Sequence, residues 1–176
     1  MMDTDTHNTQ PDAVDLIVAQ WRREMPALAA ENMALIGRLK RCAALVQPQL
    51  DSVFAEFGLS GGGFDVLATL RRAGSPYTLT PTELFASLMV TSGTMTTRLK
   101  NLEAQGWICR LPNPEDARSM LVQLTDSGKA LIEEVVFKHV ENEQKLLEDI
   151  PKDVQKQLNE GLAVLMQVWE KRKDNQ

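Results

Sequence analysis

The feature that most constrains this chain is a turn-rich tip, Pro112-Asn113-Pro114-Glu115-Asp116-Ala117-Arg118-Ser119, set between two short β-prone stretches. Those stretches, Trp107 to Leu111 and Met120 to Leu124, together with the tip predict a hairpin. What precedes the hairpin decides the architecture. Phe64 to Arg72 reads as a short helix with Phe64, Val66, Leu67 and Leu70 on its apolar face. Thr80-Pro81-Thr82-Glu83 is a compact helix start: threonine at the cap, proline in the first helical position, glutamate three residues after the cap. The helix it opens, to about Met89, is followed at once by Thr91-Ser92-Gly93 and a third helix ending near Gln105, where Gly106 supplies the stop. Three short helices followed directly by a hairpin predict a winged helix-turn-helix over residues 59–125.

Longer helices flank this unit. Val14 to Glu24 reads as a short helix carrying Trp21. Leu35/Ile36, Leu39, Cys42/Ala43, Val46, Leu50, Val53/Phe54 and Phe57 then recur at helical spacing. Pro48 is expected to kink or split that helix, and Gly58 to end it. Leu59 to Gly63 is a breaker run with Ser60 as a candidate cap, and Gly74 to Leu79 reads as a loop. Beyond the hairpin, Thr125 caps a helix from Asp126 to about Asp149, and Pro151 restarts the chain into a last helix striped by Val154, Leu158, Leu162, Leu165 and Trp169. The end helices carry more apolar surface than the central unit can cover, which predicts burial between two copies of the chain in a homodimer, the alternative being that they pack only within one monomer. The expected fold is mainly α with a small β wing: a disordered tail (1–10), N-terminal helices (11–58), the winged helix-turn-helix (59–125), and C-terminal dimerisation helices (126–176).

Composition narrows the function. At 176 residues the chain suffices for one good core. No apolar run approaches the ~20 residues that span a bilayer, and Met1 to Gln10 is polar and acidic, unlike a signal peptide. A cytoplasmic protein without membrane association is expected. Cys42 and Cys109, with only His7 and His139 beside them, make no zinc set, and no cofactor is expected. No nucleophile–base pair or phosphate loop suggests an enzyme. The net charge of −5 is unevenly spread: residues 65–125 hold six Lys/Arg against five Asp/Glu, while both flanks are acidic. Fields are screened beyond ~8–10 Å, so the central stretch alone decides contact with nucleic acid.

On the third helix, Met95, Leu99 and Leu102 fall on one side of a helical wheel. Gly93, Thr97, Lys100 and Asn101 face the other way, with Thr94 and Thr96 on the flanks and Ser92 at the start. Such a face suits the major groove of double-stranded DNA: threonine offers hydroxyl and methyl to base edges, and asparagine can pair bidentately with adenine. Taken alone, an ordinary solvated face fits equally well. The hairpin behind it favours DNA. At the wing tip Arg118 is the cation to reach a minor groove or its phosphates, and Asp116 two residues earlier could orient it.

The order Asp65-Val66-Leu67, Leu79 to Leu84, Ser92 to Leu99, Leu102 to Gly106, Asp116 to Ser119 and Leu124 to Gly128 resembles the multiple-antibiotic-resistance regulator (MarR) family over about residues 35–170. The resemblance implies a twofold dimer, a ligand cleft between the dimer base and the winged helix, and repression relieved by small molecules. Ala117 departs from the pattern, since many members have a second arginine there. Gln20-Trp21-Arg22-Arg23-Glu24 and Ile36 to Leu39 resemble a narrower group, the MarR regulators released from DNA by urate. In that group a tryptophan and a wing-base arginine hold the purine anion, and an aspartate transmits its arrival to an arginine of the recognition helix. The matching positions are Trp21, Arg110, Asp65 and Arg98. Arg98 borders the buried side of the wheel, where it could turn inward to Asp65. Gly61-Gly62-Gly63 departs from the usual lead-in to this aspartate. Alternatives are another phenolic or aromatic acid in the same cleft, an oxidant sensor using Cys42 or Cys109, or a winged helix that binds protein instead of DNA. The pattern places both cysteines in packed positions, where thiols are usually inert.

Overall fold

The computed structural model describes residues 10–88, 95–116 and 119–174, with side chains as far as Arg172. Among these residues the elements run α1 (Ala13–Glu24), α2 (Glu31–Glu56), α3 (Gly61–Arg72), β1 (Thr78–Leu79), α4 (Pro81–Ser87), α5 (Met95–Ala104), β2 (Ile108–Pro112), β3 (Met120–Leu124), α6 (Asp126–Leu147) and α7 (Lys152–Asp174). The chain divides into two compact units, one ending at Pro48 and one starting at Gln49. No single described helix is long and apolar enough to cross a membrane.

The first unit is built on a cap. Asp12 accepts from the backbone N–H of Val14 and Asp15, and the Asp15 carboxylate accepts in return from Asp12 N–H. Arg38 of α2 donates to both carboxylates, at 2.8 and 2.6 Å. Chiefly through that guanidinium, the Asp12 carboxyl is held at about 2. A carboxyl lowered in this way supports the fold above its unfolded value, and the support is lost only as pH falls through about 2. Val14 and Val18 pack with Ala30 beneath the cap. Trp21, on the same helix, is 41% exposed and is not part of that small core.

The second unit holds the main core. Leu67 and Leu70 of α3 are fully buried with Leu84 of α4, Ile108 of β2, Val122 of β3, and Ile132 and Val135 of α6. Leu99 and Leu102 of α5 join the same cluster. The sheet is antiparallel in the order β1-β3-β2, with Ile108 opposite Leu124 and Pro112 opposite Met120. Strand alternation turns Ile108, Val122 and Leu124 toward the helices.

Several expectations need correction. Pro48 does not split α2, which runs unbroken through it. Residues 41–49 are exposed, so the backbone carbonyl that proline leaves without a donor faces solvent instead of a core. Gly61, Gly62 and Gly63 do not precede α3 but form its first turn, capped by the Ser60 hydroxyl, which accepts from Gly63 N–H. Thr78 and Leu79 are not loop: they pair with Gln123 and Val122 and make the wing sheet three-stranded. The helix opened by Thr80 closes at Ser87 and that opened by Thr125 at Leu147, each two residues short of the expected end. Cys42 is exposed, contrary to the packed position its spacing suggested.

Candidate nucleic-acid interface and effector residues

Local chemistry sets the helix-turn-helix in place. Thr80 and Glu83 form the reciprocal cap of α4: Glu83 N–H donates to Thr80 Oγ1 at 3.2 Å, and the Glu83 carboxylate accepts from Thr80 N–H at 2.9 Å. That backbone donor, followed by the Thr80 hydroxyl, lowers the Glu83 carboxyl below its ordinary value. Leu84, fully buried one residue on, turns that side of α4 toward the core. At its far end α5 closes on Gly106 (φ +73°): Gly106 N–H bonds Glu103 O and Trp107 N–H bonds Leu102 O. Only a residue tolerant of positive φ completes this reversal cheaply.

Between these limits α5 divides as its wheel requires. Leu99 and Leu102 are buried, while Thr96, Thr97, Lys100 and Asn101 are exposed along one flank. Ser92 and Thr94, the other residues expected to reach DNA from this helix, lie outside the described residues, as does Arg118. The described residues on either side of it are tied to one another. Asn113 donates from Nδ2 to Ser119 Oγ at 2.7 Å and accepts from Glu115 N–H at 3.0 Å. Ser119 N–H and Oγ both donate to Asp116 O.

The four residues matched to an effector group fall in both units. Trp21 stands on α1 of the first, and Asp65, Arg98 and Arg110 belong to the second. Arg98 is half-buried and turns inward. Its guanidinium lies against the backbone of Gly62, with Nη2 only 2.6 Å from where a Cβ at that position would stand. Asp65, 7% exposed, is one turn further along the same face of α3. A buried carboxylate requires compensation by charge or hydrogen bonds, and the nearby guanidinium is of the right sign. Below this turn a hollow of about 310 Å³ is lined by Ser60, Gly63, Arg98, Asn101 and Trp107, among others.

Arg110 sits opposite Val122 in the wing, on the same face of β2 as Ile108. Its side chain therefore points to the helical side. There Nε lies 3.2 Å from Glu103 Oε2 of α5. The N–H is not aimed at that oxygen, and among the described residues the buried Nε and Nη2 have no hydrogen-bond acceptor. Glu103 is a neighbour that sequence reasoning missed. It faces Arg110 only because the Gly106 turn folds β2 back along α5, and no spacing rule reports such a reversal.

Comparison with known proteins places this geometry. The MarR family model matches residues 59–120, from the loop before α3 to the start of β3. The transcriptional regulator PecS of Dickeya dadantii is 49% identical over 131 residues, covering 74% of this chain and 79% of PecS. The multiple antibiotic resistance protein MarR of Salmonella typhimurium is 40% identical over 85 residues, covering 48% of this chain and 57% of that protein. Among solved structures, a mutant MarR from Escherichia coli complexed with operator DNA superposes with a TM-score of 0.64 at 28% identity, covering 82% of this chain and 96% of that one. These relatives are regulators of transcription, not enzymes, and with the winged helix-turn-helix seen here they show that this chain belongs to the MarR family of DNA-binding transcriptional regulators.

Proposed function

We propose that the chain is a homodimeric repressor that binds a pseudo-palindromic operator and is released from it by urate or a similar planar aromatic anion. The observation that carries the effector is Arg110: a guanidinium on the inner face of the wing base whose buried N–H groups are not aimed at any described acceptor. A flat anion offers oxygens to such a fork in a charge-assisted pair. Trp21 is assigned the aromatic face of the site from its sequence pattern. Asp65 and Arg98 are the transmission pair, because an anion bound beside Asp65 repels its carboxylate and weakens whatever holds Arg98 inward. In this scheme residues 11–58 serve the dimer base and wall the cleft, 59–125 read DNA and 126–176 join the copies. A ligand moves the equilibrium only by its differential affinity for the bound and released conformations.

The test is a titration of urate by fluorescence and by gel shift. Arg110→Gln is expected to weaken urate binding by roughly 10- to 150-fold, since a hydrogen bond to a charged group contributes about 1.5–3 kcal/mol. Asp65→Asn should still bind urate but release DNA less completely. If millimolar urate leaves wild-type DNA binding unchanged, the effector is wrong. Full release by Asp65→Asn would reject the transmission pair alone.

The DNA contacts divide by chemistry. Arg118→Ala is expected to weaken binding to every duplex and to lower the salt slope by about 1, because that side chain displaces counterions from phosphates. Thr97→Ala and Asn101→Ala, on the exposed flank of α5, should instead change the preference among operator variants by about 1–3 kcal/mol per base contact. Anisotropy with specific and random duplexes at several salt concentrations separates the two. Equal losses on both duplexes for all three variants contradict the division.

A further inference from the structure

We infer that Gly62 is the seat of Arg98, and that this seat sets the orientation of the DNA-reading helix. Glycine inside a helix needs a reason, since it weakens the helix relative to alanine. Here backbone conformation does not supply one. Positive φ occurs at Gly58, Gly74 and Gly106, and not at Gly62, which takes ordinary helical geometry within α3. Nor does packing against backbone, as at Gly128, because the three atoms nearest the missing Cβ of Gly62 all belong to the Arg98 guanidinium. At the preceding residue the pattern repeats with opposite charge, as a Cβ at Gly61 would stand 3.0 Å from Asp51 Oδ1.

The consequence follows from the length of the arginine. Its guanidinium is fixed on α3 while its Cα belongs to α5, so the stem acts as a strut between the two helices. Leu99 and Leu102 bury one side of α5 but leave its roll to sliding apolar contacts. A flat, directional group lying on the neighbouring backbone restricts that roll, and with it the direction of Thr97, Lys100 and Asn101. A methyl group at position 62 occupies the seat. The guanidinium must then swing away, and the hollow it already lines beside Asn101 and Trp107 gives it room. Displacing the far end of a flexible side chain costs the fold little. Gly62→Ala therefore separates stability from DNA binding in opposite directions, which a purely structural glycine does not do. Arg98 and Gly62 are positioning residues and neither needs to touch a base. This inference rests on α5 being the DNA-reading helix.

The experiment is a double-mutant cycle on the full-length protein. The probe is the duplex that the wild-type protein selects from a random 20-bp library. Gly62→Ala is expected to lose about 10-fold in affinity for that duplex while its Tm stays level or rises by about 1–4 °C. Arg98→Ala should lose a similar factor, and the double variant should again lose about 10-fold, not 100-fold. Adding Arg98→Lys to the Gly62→Ala variant should restore part of its binding, because an ammonium on a thin stem does not need the flat seat. Losses that multiply, or a Gly62→Ala variant that binds as wild type, overturn the seat. If Gly62→Ala lowers the Tm, the same change in the Arg98→Ala background decides: recovery supports the seat, and an undiminished loss shows that another group fills it. Thr97→Ala and Asn101→Ala serve as controls. If they leave binding to the selected duplex untouched, α5 is not the reading helix and the premise fails; if they matter while Gly62→Ala does not, only the seat fails.

Discussion

Gly128→Ala is expected to be the most destabilising single-methyl change in this protein, costing about 3 kcal/mol and lowering the Tm by about 6–12 °C. Gly128 lies in the first turn of α6, and its Cα is pressed onto the backbone of Trp107. A Cβ there would collide with the Trp107 carbonyl oxygen and stand 2.8 Å from the carbonyl carbon. Unlike the guanidinium over Gly62, this obstacle is main chain and cannot swing aside. The contact is also surrounded by hydrogen bonds that resist separation. Thr125 N–H donates to Trp107 O at 3.2 Å, the Thr125 hydroxyl donates to Gly106 O at 2.7 Å, and the Ser127 hydroxyl donates to the same oxygen at 3.0 Å. Three donors thus moor the start of α6 to the turn that ends α5. Relief of the clash must break some of them. Thermal and urea melts of the purified variant measure the loss. A Tm within about 2 °C of wild type, well short of the shift expected for such a loss, would mean that α6 can lift off this turn freely, and that the joint is soft.

Charging the stripe of α7 is expected to have the largest effect on function. No described residue of α7 is buried in the single chain, although Leu158, Leu162, Met166 and Trp169 are large and apolar. Leu158 and Leu162 are one turn apart on one side. In the proposed dimer they lie in the interface, and Leu158→Asp with Leu162→Asp would bury carboxylates without partners in each copy. Such groups either prevent association or take up protons at a large cost. The double variant should therefore sediment as a monomer at micromolar concentration. It should also lose operator affinity by about 1000-fold, toward the level of non-specific DNA, because one recognition helix reads only half a site. Its far-UV spectrum should be unchanged if the second unit keeps its own core. A dimeric double variant with wild-type affinity would place the interface elsewhere.

The parts of this protein that were legible in its sequence are those whose physical cause is local. Ser60, Thr80 and Thr125 cap helices because their hydroxyls meet N–H groups three residues away. Gly58 and Gly106 end helices because each supplies positive φ at the reversal. The buried side of α5 could be drawn on a wheel, since Leu99 and Leu102 keep the helical period, and even the inward turn of Arg98 follows from its angle to that side. The order of three helices and a hairpin was enough to reach the winged fold.

Tertiary structure decided whatever depends on two distant segments meeting. The three glycines of Gly61–Gly63 look like a chain break until Arg98 and Asp51 are seen to occupy the space that side chains at Gly62 and Gly61 would take. Thr78 and Leu79 are too short a run to declare a strand, and become one only because β3 offers an open edge. Glu103 meets Arg110 through the fold-back at Gly106, and Gly128 is required by the carbonyl of Trp107, twenty-one positions earlier. Caps and periodicity act over three or four residues, within the reach of one helical turn, so a linear reading recovers them. Close approaches between backbones are set by the packing of the whole core, and a linear reading does not contain them.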